Sequence, residues 1–116
     1  MSIQRIGAGP RMSKAVVHGD TVYLAGQVAD KTKGASVADQ TAEILAMIDD
    51  LLAQAGSDKT KILSATIWLT DMSTFPEMNS KWDTWVVQGA TPARATVQAN
   101  LAAPEYKVEI AVIAAR

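Results

Sequence analysis

Two charged side chains stand inside otherwise apolar stretches near the end of the sequence: Arg94 in 93-ARATVQA-99 and Glu109 in 106-YKVEIAVIA-114. An arginine presents a planar fork of N–H donors that can bind a carboxylate at two points. A glutamate can take up and return protons when its carboxyl group lies beside a reacting water. Together, the two residue types suit a site that binds a small carboxylate and directs water at it.

The same two residues also have a purely structural explanation. If the last two strands pair around the connection 100-NLAAPE-105, Arg94 lies directly opposite Glu109, on the face of the sheet away from the helices. A cross-strand pair of opposite charges stabilises a sheet by roughly 0.2–1 kcal/mol. Periodicity alone favours this stabilising pair over a catalytic one.

The first half of the sequence predicts a hairpin followed by a helix. Segment 14–29 contains two β-rich runs on either side of Gly19-Asp20, a suitable pair for a tight turn. From Ser36 to Gly56 the apolar residues recur at steps of three and four, which predicts an amphipathic helix with Ser36 as its N-cap and Gly56 just past its end. The apolar stripe consists of Leu45, Ile48, Leu51, Leu52 and Ala55.

The second half predicts a strand, a second helix and two more strands. Strict alternation over 61–71 predicts a strand with one buried face, made of Leu63, Ala65, Ile67 and Leu69. The second helix is expected to begin at Thr74, whose side chain and that of Glu77 would cap each other's backbone donors. Its apolar stripe comprises Phe75, Met78, Trp82, Trp85 and Val86, with Asn79 at the border of the stripe. The last two strands are 93–99 and 106–114.

This order of elements predicts one α+β domain over residues 1–116, with two helices on one face of a mostly antiparallel sheet. Residues 2–6 can add a further N-terminal strand. The opposite face of the sheet is expected to carry several large or apolar residues, which argues that another subunit covers it. These residues are Trp68, Ile62, Ile113 and Ala111.

Composition excludes several classes of site and partner. The chain has no cysteine and one histidine, His18, which leaves too few ligands for a zinc site. Eleven basic and twelve acidic side chains give a net charge of −1, which disfavours nucleic acid as the main partner. Because no apolar run approaches the ~20 residues of a membrane span and no signal-peptide pattern is present, we expect a cytoplasmic protein with no membrane partner.

Four short motifs, taken together in their order and spacing, resemble those of the reactive intermediate deaminase family, also called Rid or YjgF-like. They are Ala25-Gly26-Gln27, Met78-Asn79 ahead of Trp82, the run Pro92 to Val97, and Val108-Glu109-Ile110. The resemblance implies a chorismate-mutase-like α+β fold and a homotrimer with clefts between neighbouring subunits. It also implies hydrolysis of enamine and imine intermediates, such as 2-aminoacrylate, to 2-oxo acids and ammonia without metal or organic cofactor.

The resemblance also assigns roles to individual residues. Arg94 matches the arginine that grips the substrate carboxylate, and Glu109 matches the glutamate that positions or activates water. Asn79 matches a polar residue at the cleft. For the chemistry so implied, we expect the Asn79 amide and the backbone around Ala25 and Gly26 to orient polar atoms of the substrate.

Three positions depart from the family pattern. Met12 stands where a tyrosine is usual, Ala25 where a serine is usual, and Thr96 where a cysteine is common. The expected substrate-binding set is therefore Arg94, Asn79, Ala25, Gly26, Met12 and Thr96. Loss of a phenol and a hydroxyl leaves open a second function, a trimeric small-carboxylate-binding or regulatory protein with little turnover. Endoribonuclease activity, a third possibility, fits poorly with the charge balance and the single histidine.

Overall fold

The structure, a computed structural model, describes all 116 residues. Two helices interrupt seven strands along the chain. The strands are β1 (Ile3–Ile6), β2 (Ala15–His18), β3 (Thr21–Leu24), β4 (Gln27–Val28), β5 (Ile62–Leu69), β6 (Ala93–Gln98) and β7 (Val108–Ala115). The helices are α1 (Val37–Gln54) and α2 (Phe75–Trp85).

All seven strands join one sheet in the order β1-β2-β3-β7-β5-β6, with β4 also paired to β7. Every pairing is antiparallel except that of β5 with β6. Both helices pack on the same face, and the core lies between them and the sheet. The predicted α+β class, with two helices on one face, is therefore confirmed, and the N-terminal extension does add a strand.

The turn and cap signals of the first half act as predicted. Gly19 adopts a positive φ of 62° between β2 and β3, a backbone conformation that favours glycine. The Oγ of Ser36 accepts a hydrogen bond from the backbone N–H of Asp39 at 3.1 Å, which caps α1. All five residues of the predicted α1 stripe are buried.

The predicted pairing of the last two strands is wrong, because β5 lies between β6 and β7. Arg94 pairs with Ala65 of β5 in parallel register, whereas Glu109 pairs with Trp68 of β5 in antiparallel register. Alternation assigns a residue to a face of a strand but does not say which strand is its neighbour. Here both edges of the apolar strand β5 are paired, and the 100–105 connection crosses its end. No cross-strand Arg94–Glu109 pair forms.

The predicted inward face of β5 is wrong at its first residues. Ile62 pairs with Ala114 and Ser64 with Ile113, so Leu63 is an extra residue in a β-bulge. The bulge reverses the alternation locally. Ile62 is 5% exposed in the core, and Leu63 is 54% exposed.

The predicted mutual capping of Thr74 and Glu77 is also wrong. Glu77 Oε2 instead accepts a hydrogen bond from the backbone N–H of Ala38 at 2.8 Å, in the first turn of α1. The hydroxyl of Thr74 donates to the carbonyl of Asp71 at 2.6 Å. Glu77 thus joins the two helices, because its side chain reaches an unpaired donor of the neighbouring helix rather than one of its own.

The face of the sheet opposite the helices is uncovered in the single chain. Trp68, Ala111 and Ile113 lie on this open face, as predicted, and Ile113 is 37% exposed. Ile62 does not, because of the bulge. Neither helix has the length and apolar character needed to cross a membrane.

Candidate active site

Arg94 lies at the sheet edge, on the face that carries the helices, and its side chain rests on α2. Its Nη1 donates a hydrogen bond to Asn79 Oδ1 at 2.8 Å. The guanidinium carbon lies 5.5 Å from the ring centroid of Phe75 and 5.2 Å from that of Trp82, within cation–π range. Phe75, Asn79 and Trp82 follow one another at steps of four and three, so they share one side of the helix. Three contacts therefore hold the guanidinium.

Most of the hydrogen-bonding capacity of Arg94 remains unused. A guanidinium has five N–H donors, and the bond to Asn79 is the one hydrogen bond that Arg94 makes. Arg94 is an exposed residue, and its four remaining donors have no partner within the chain. The arrangement can bind a carboxylate bidentately with little reorganisation.

Glu109 lies on the open face of the sheet between two apolar neighbours. Val28 flanks it on β4 and Trp68 flanks it on β5. Burial against such neighbours raises the pKa of the Glu109 carboxyl, and no hydrogen bond or neighbouring charge offsets this effect. A half-buried, unpaired carboxylate with a raised pKa is a candidate general base.

Gly26 lies directly against this carboxylate. A methyl group at Gly26 would lie 2.0 Å from Glu109 Oε2, so any side chain there would displace the carboxylate. The close approach arises between Tyr23 and Gln27, where the chain departs from regular pairing with β7. Three residues lie between these two positions, whereas only two lie between their partners on β7. Ala25 is held in this irregular segment by its N–H, which donates to Lys14 O, and by its carbonyl, which accepts from Gln27 Nε2, both at 2.9 Å.

The predicted site residues form two groups on opposite faces of the sheet. Arg94 and Asn79 are together, and Glu109 lies with Gly26, preceded by Ala25. The partners of Arg94 and Glu109 on β5 are three residues apart, an odd number, so their side chains point to opposite faces. About 10 Å along β5 and about 9.5 Å across two strand spacings put their Cα atoms roughly 14 Å apart.

Thr96 and Met12 have different positions. Thr96 is on the same face of β6 as Arg94, and its hydroxyl oxygen is buried without a hydrogen-bond partner. Met12 is 54% exposed in the loop before β2, where its carbonyl accepts a hydrogen bond from Gly9 N at 2.8 Å.

Comparison with known proteins agrees with this fold. The family model described as Endoribonuclease L-PSP, which is that of the YjgF/Rid family, matches residues 2–116. The chain belongs to the YjgF/Rid family. It is 48% identical to the RutC family protein YoaB of Escherichia coli K12 over 99% of each chain. A crystal structure of a YjgF-family protein from Neisseria meningitidis, 46% identical, superposes with a TM-score of 0.96 over 100% of this chain and 96% of that one.

A more distant relative is named for an activity. The 2-iminobutanoate/2-iminopropanoate deaminase of Rattus norvegicus is 32% identical over 88% of this YjgF/Rid chain and 77% of its own length.

Sequence reasoning missed the aromatic support of Arg94 and the neighbours of Glu109. The sequence predicts Phe75 and Trp82 as members of the apolar stripe of α2, and their spacing from Asn79 places all three on one side of a helix. That spacing was a usable signal. The contact of Gly26 with Glu109 depends on how two distant segments of the chain pair in the sheet, and the YjgF/Rid motifs do not specify that pairing. The structure contains no group of three or more metal-ligating side chains.

Proposed function

We propose that this protein hydrolyses 2-imino acids to 2-oxo acids and ammonia at a cleft formed by two copies of the chain. The observation that carries the proposal is the pair of unused groups: four free N–H donors on a braced, exposed Arg94 and an unpaired, half-buried carboxylate on Glu109. The deaminase name of the rat relative supports the same chemistry.

A second copy is needed because one chain does not bring the two groups together. Arg94 and Glu109 lie on opposite faces of one sheet, roughly 14 Å apart at their Cα atoms. The open face around Glu109 carries apolar side chains that another protomer would cover. In the homotrimer that we propose, Arg94 and Asn79 of one subunit face Glu109 and Gly26 of its neighbour.

The chemistry required of such a site is modest. The imino carbon is already electrophilic, so the site must hold the anion and aim a water molecule. The guanidinium fork of Arg94 binds the substrate carboxylate. Glu109 takes a proton from water as the water oxygen bonds to the imino carbon. Glu109 passes this proton to the nitrogen, which gives an intermediate with a hydroxyl and an amino group on the same carbon. Glu109 then carries the hydroxyl proton to the amino nitrogen, the C–N bond breaks, and ammonia leaves with that electron pair while the C=O bond of the 2-oxo acid forms. Glu109 ends as it began.

A binding or regulatory function is the competing proposal, and Met12 and Ala25 favour it. Neither side chain supplies the hydroxyl that the motif comparison leads one to expect. Backbone groups remain at Ala25, but its N–H and carbonyl are already bonded within the chain. A protein of this kind would bind small carboxylates at Arg94 and release them unchanged.

Turnover distinguishes the two functions. An amino-acid oxidase would generate 2-imino acids in the presence of semicarbazide, and the protein should suppress semicarbazone formation over many turnovers. Arg94→Lys should keep the oligomeric state but lose most activity, because an ammonium cannot reproduce the planar fork. Saturable carboxylate binding without turnover would instead support the regulatory function, and wild-type rates for Arg94→Lys would contradict the assigned role of Arg94.

Mixed oligomers test whether the site is shared. Arg94→Lys and Glu109→Gln subunits would be unfolded together and reassembled in equal amounts. If each site draws one residue from each neighbour, about a quarter of the interfaces regain both native side chains. Activity should therefore reappear in the mixture and remain absent from either variant alone. No recovery in correctly assembled mixed oligomers would show that the two residues do not cooperate across subunits.

A further inference from the structure

A cavity of 180 Å³ lies on the helix-bearing side of the sheet, near the edge opposite the one that carries Arg94. One wall is the second half of α1, where residues at steps of three, one and three share one side of the helix. These residues are Met47, Asp50, Leu51 and Gln54. The other wall is formed by the end of β1, the chain before β2 and the start of β4, and it includes Ile6, Lys14 and Gln27. The cavity is therefore separate from the open face of the sheet.

Gln27 is a buried polar side chain whose amide oxygen opens into this cavity. Only 5% of the residue is exposed. Its Nε2 donates to Ala25 O at 2.9 Å, whereas its Oε1 accepts no hydrogen bond from the chain. Thr96 Oγ1 is the one fully enclosed side-chain oxygen or nitrogen without a partner, so Gln27 Oε1 must face the cavity rather than packed atoms. Because a buried acceptor without a donor is costly, the cavity suits a ligand that carries an N–H group.

Two opposite charges stand at the mouth of the cavity. Lys14 and Asp50 are exposed lining residues, yet no hydrogen bond joins them. Asp50 accepts one hydrogen bond, from Gln54 Nε2 at 2.8 Å. The stem of Lys14 lies against Gly7, where an added Cβ would be 2.9 Å from its Cγ and Cδ. The cavity thus offers a cation on its sheet side and an anion on its helix side, and the two do not neutralise each other.

We propose that this cavity binds a small zwitterionic amino acid with an apolar side chain. The ligand carboxylate pairs with Lys14, and the ligand ammonium donates to Asp50 and to Gln27 Oε1. The ligand side chain lies on the apolar part of the lining, which consists of Ile6, Met47 and Leu51. Because a cavity of about 150 Å³ holds benzene, 180 Å³ suits a ligand of about six to eight non-hydrogen atoms, the size of alanine to valine. This site does not depend on the proposed function.

The cavity is connected to the Glu109 side of the sheet through Ala25. The carbonyl of Lys14 accepts a hydrogen bond from Ala25 N, and Gln27 Nε2 donates to Ala25 O, both at 2.9 Å. Ala25 precedes Gly26, which lies against the Glu109 carboxylate. A ligand held by Lys14 and Gln27 therefore restrains the segment that limits the position of this carboxylate, without touching the carboxylate itself.

The first test measures binding by calorimetry on Arg94→Lys protein, because this change removes the guanidinium fork that could bind the same carboxylate elsewhere. We expect L-valine to bind at one site per chain. Isovalerate and isobutylamine, which each lack one of its two charges, should bind at least about tenfold more weakly. Isovalerate binding as tight as that of valine would overturn the zwitterion site, and so would the lack of saturable valine binding up to about 10 mM.

The second test removes one charge of the cavity. Asp50→Asn takes away the partner of the ligand ammonium, while its side-chain oxygen can still accept the bond from Gln54. We expect valine binding to weaken about five- to tenfold. Asp83→Asn, the same charge change on an exposed residue of α2, is the matched control and should leave valine binding unchanged. Equal effects of the two changes, or no effect of Asp50→Asn, would contradict the site.

The third test follows the connection to Glu109 by NMR of the backbone amides. In the Arg94→Lys protein, valine should shift the amide resonances of Ala25 and Gly26. Asp50→Asn, added to this protein, should reduce both shifts at the same concentration of valine. Valine binding that leaves both amide resonances unmoved would overturn the connection through Ala25.

Discussion

Replacing Gly26 with alanine is expected to move the carboxylate of Glu109 without unfolding the protein. The new methyl group would lie 2.0 Å from Glu109 Oε2 and 2.9 Å from its Cδ. Because ordinary carbon–oxygen contacts begin at about 3.3 Å, the carboxylate must retreat by about 1.3 Å. Gly26 is not among the glycines with positive φ, and the displaced atoms are the end of a flexible side chain. The backbone can therefore accept alanine.

The expected cost falls on catalysis rather than on stability. A displacement of about 1 Å at a reacting group can lower a rate by about 100-fold, equivalent to about 2.7 kcal/mol of transition-state stabilisation. We therefore expect Gly26→Ala to lower kcat/KM for its best imine by about two orders of magnitude, while the Tm changes by only a few degrees. Semicarbazone suppression measures the first quantity and calorimetry the second.

Two controls connect the effect to the carboxylate. Gly9→Ala introduces the same methyl group where the nearest atom, Met12 O, is 3.5 Å away, so its kcat/KM should match the wild type. In a Glu109→Ala background the methyl at position 26 has no carboxylate to displace, so the two losses should not add. A Gly26→Ala protein within about threefold of the wild-type kcat/KM would refute the positioning argument.

Three further predictions follow from single contacts. Burial raises the pKa of Glu109, so protonation of Glu109 stabilises the folded state fully below the unfolded-state pKa of about 4.3, and this stabilisation is lost as pH rises through the folded-state pKa. Glu109→Gln, which stays neutral, should therefore have a higher Tm than wild type at pH 7. A difference in Tm that does not disappear toward pH 4 would contradict this. Glu77→Ala leaves the N–H of Ala38 without its partner, so urea unfolding should show that the free energy of unfolding falls by about 0.5–2 kcal/mol. Glu77→Gln should retain part of this stabilisation. Phe75→Leu removes a cation–π contact with Arg94 worth about 0.5–1 kcal/mol, so KM should rise about two- to fivefold with kcat nearly unchanged. A loss confined to kcat would argue against a role of Phe75 in holding the guanidinium for substrate binding.

Much of the architecture could be predicted from local patterns. Alternation correctly placed Ala65, Ile67 and Leu69 in the core, and three- and four-residue steps identified the buried stripe of α1. These patterns report the environment of each residue along its own element. They do not report which elements are neighbours, because pairing β7 with β6 or with β5 gives the same alternation. A bulge such as that at Leu63 has no local signal of comparable strength.

For the candidate site, too, the sequence predicted which residues matter but not how distant ones are placed relative to each other. Motifs identified Arg94, Asn79 and Glu109 as residues of interest, and the contact of Arg94 with Asn79 is present. The predicted placement of Arg94 opposite Glu109 was wrong, since an assumed hairpin paired two residues that lie on opposite faces of the sheet. In sequence, Arg94 is 29 positions from its partner Ala65 and Glu109 is 41 positions from its partner Trp68, separations over which periodicity is uninformative.

Because Arg94 and Glu109 are separated within one chain, the proposed activity should depend on the concentration of the protein. A lone protomer carries an anion-binding group and a proton acceptor, but neither can act on a molecule held by the other. In the proposed arrangement, specific activity should fall on dilution as the assembly dissociates by mass action, and a ligand that bridges two protomers should restore it.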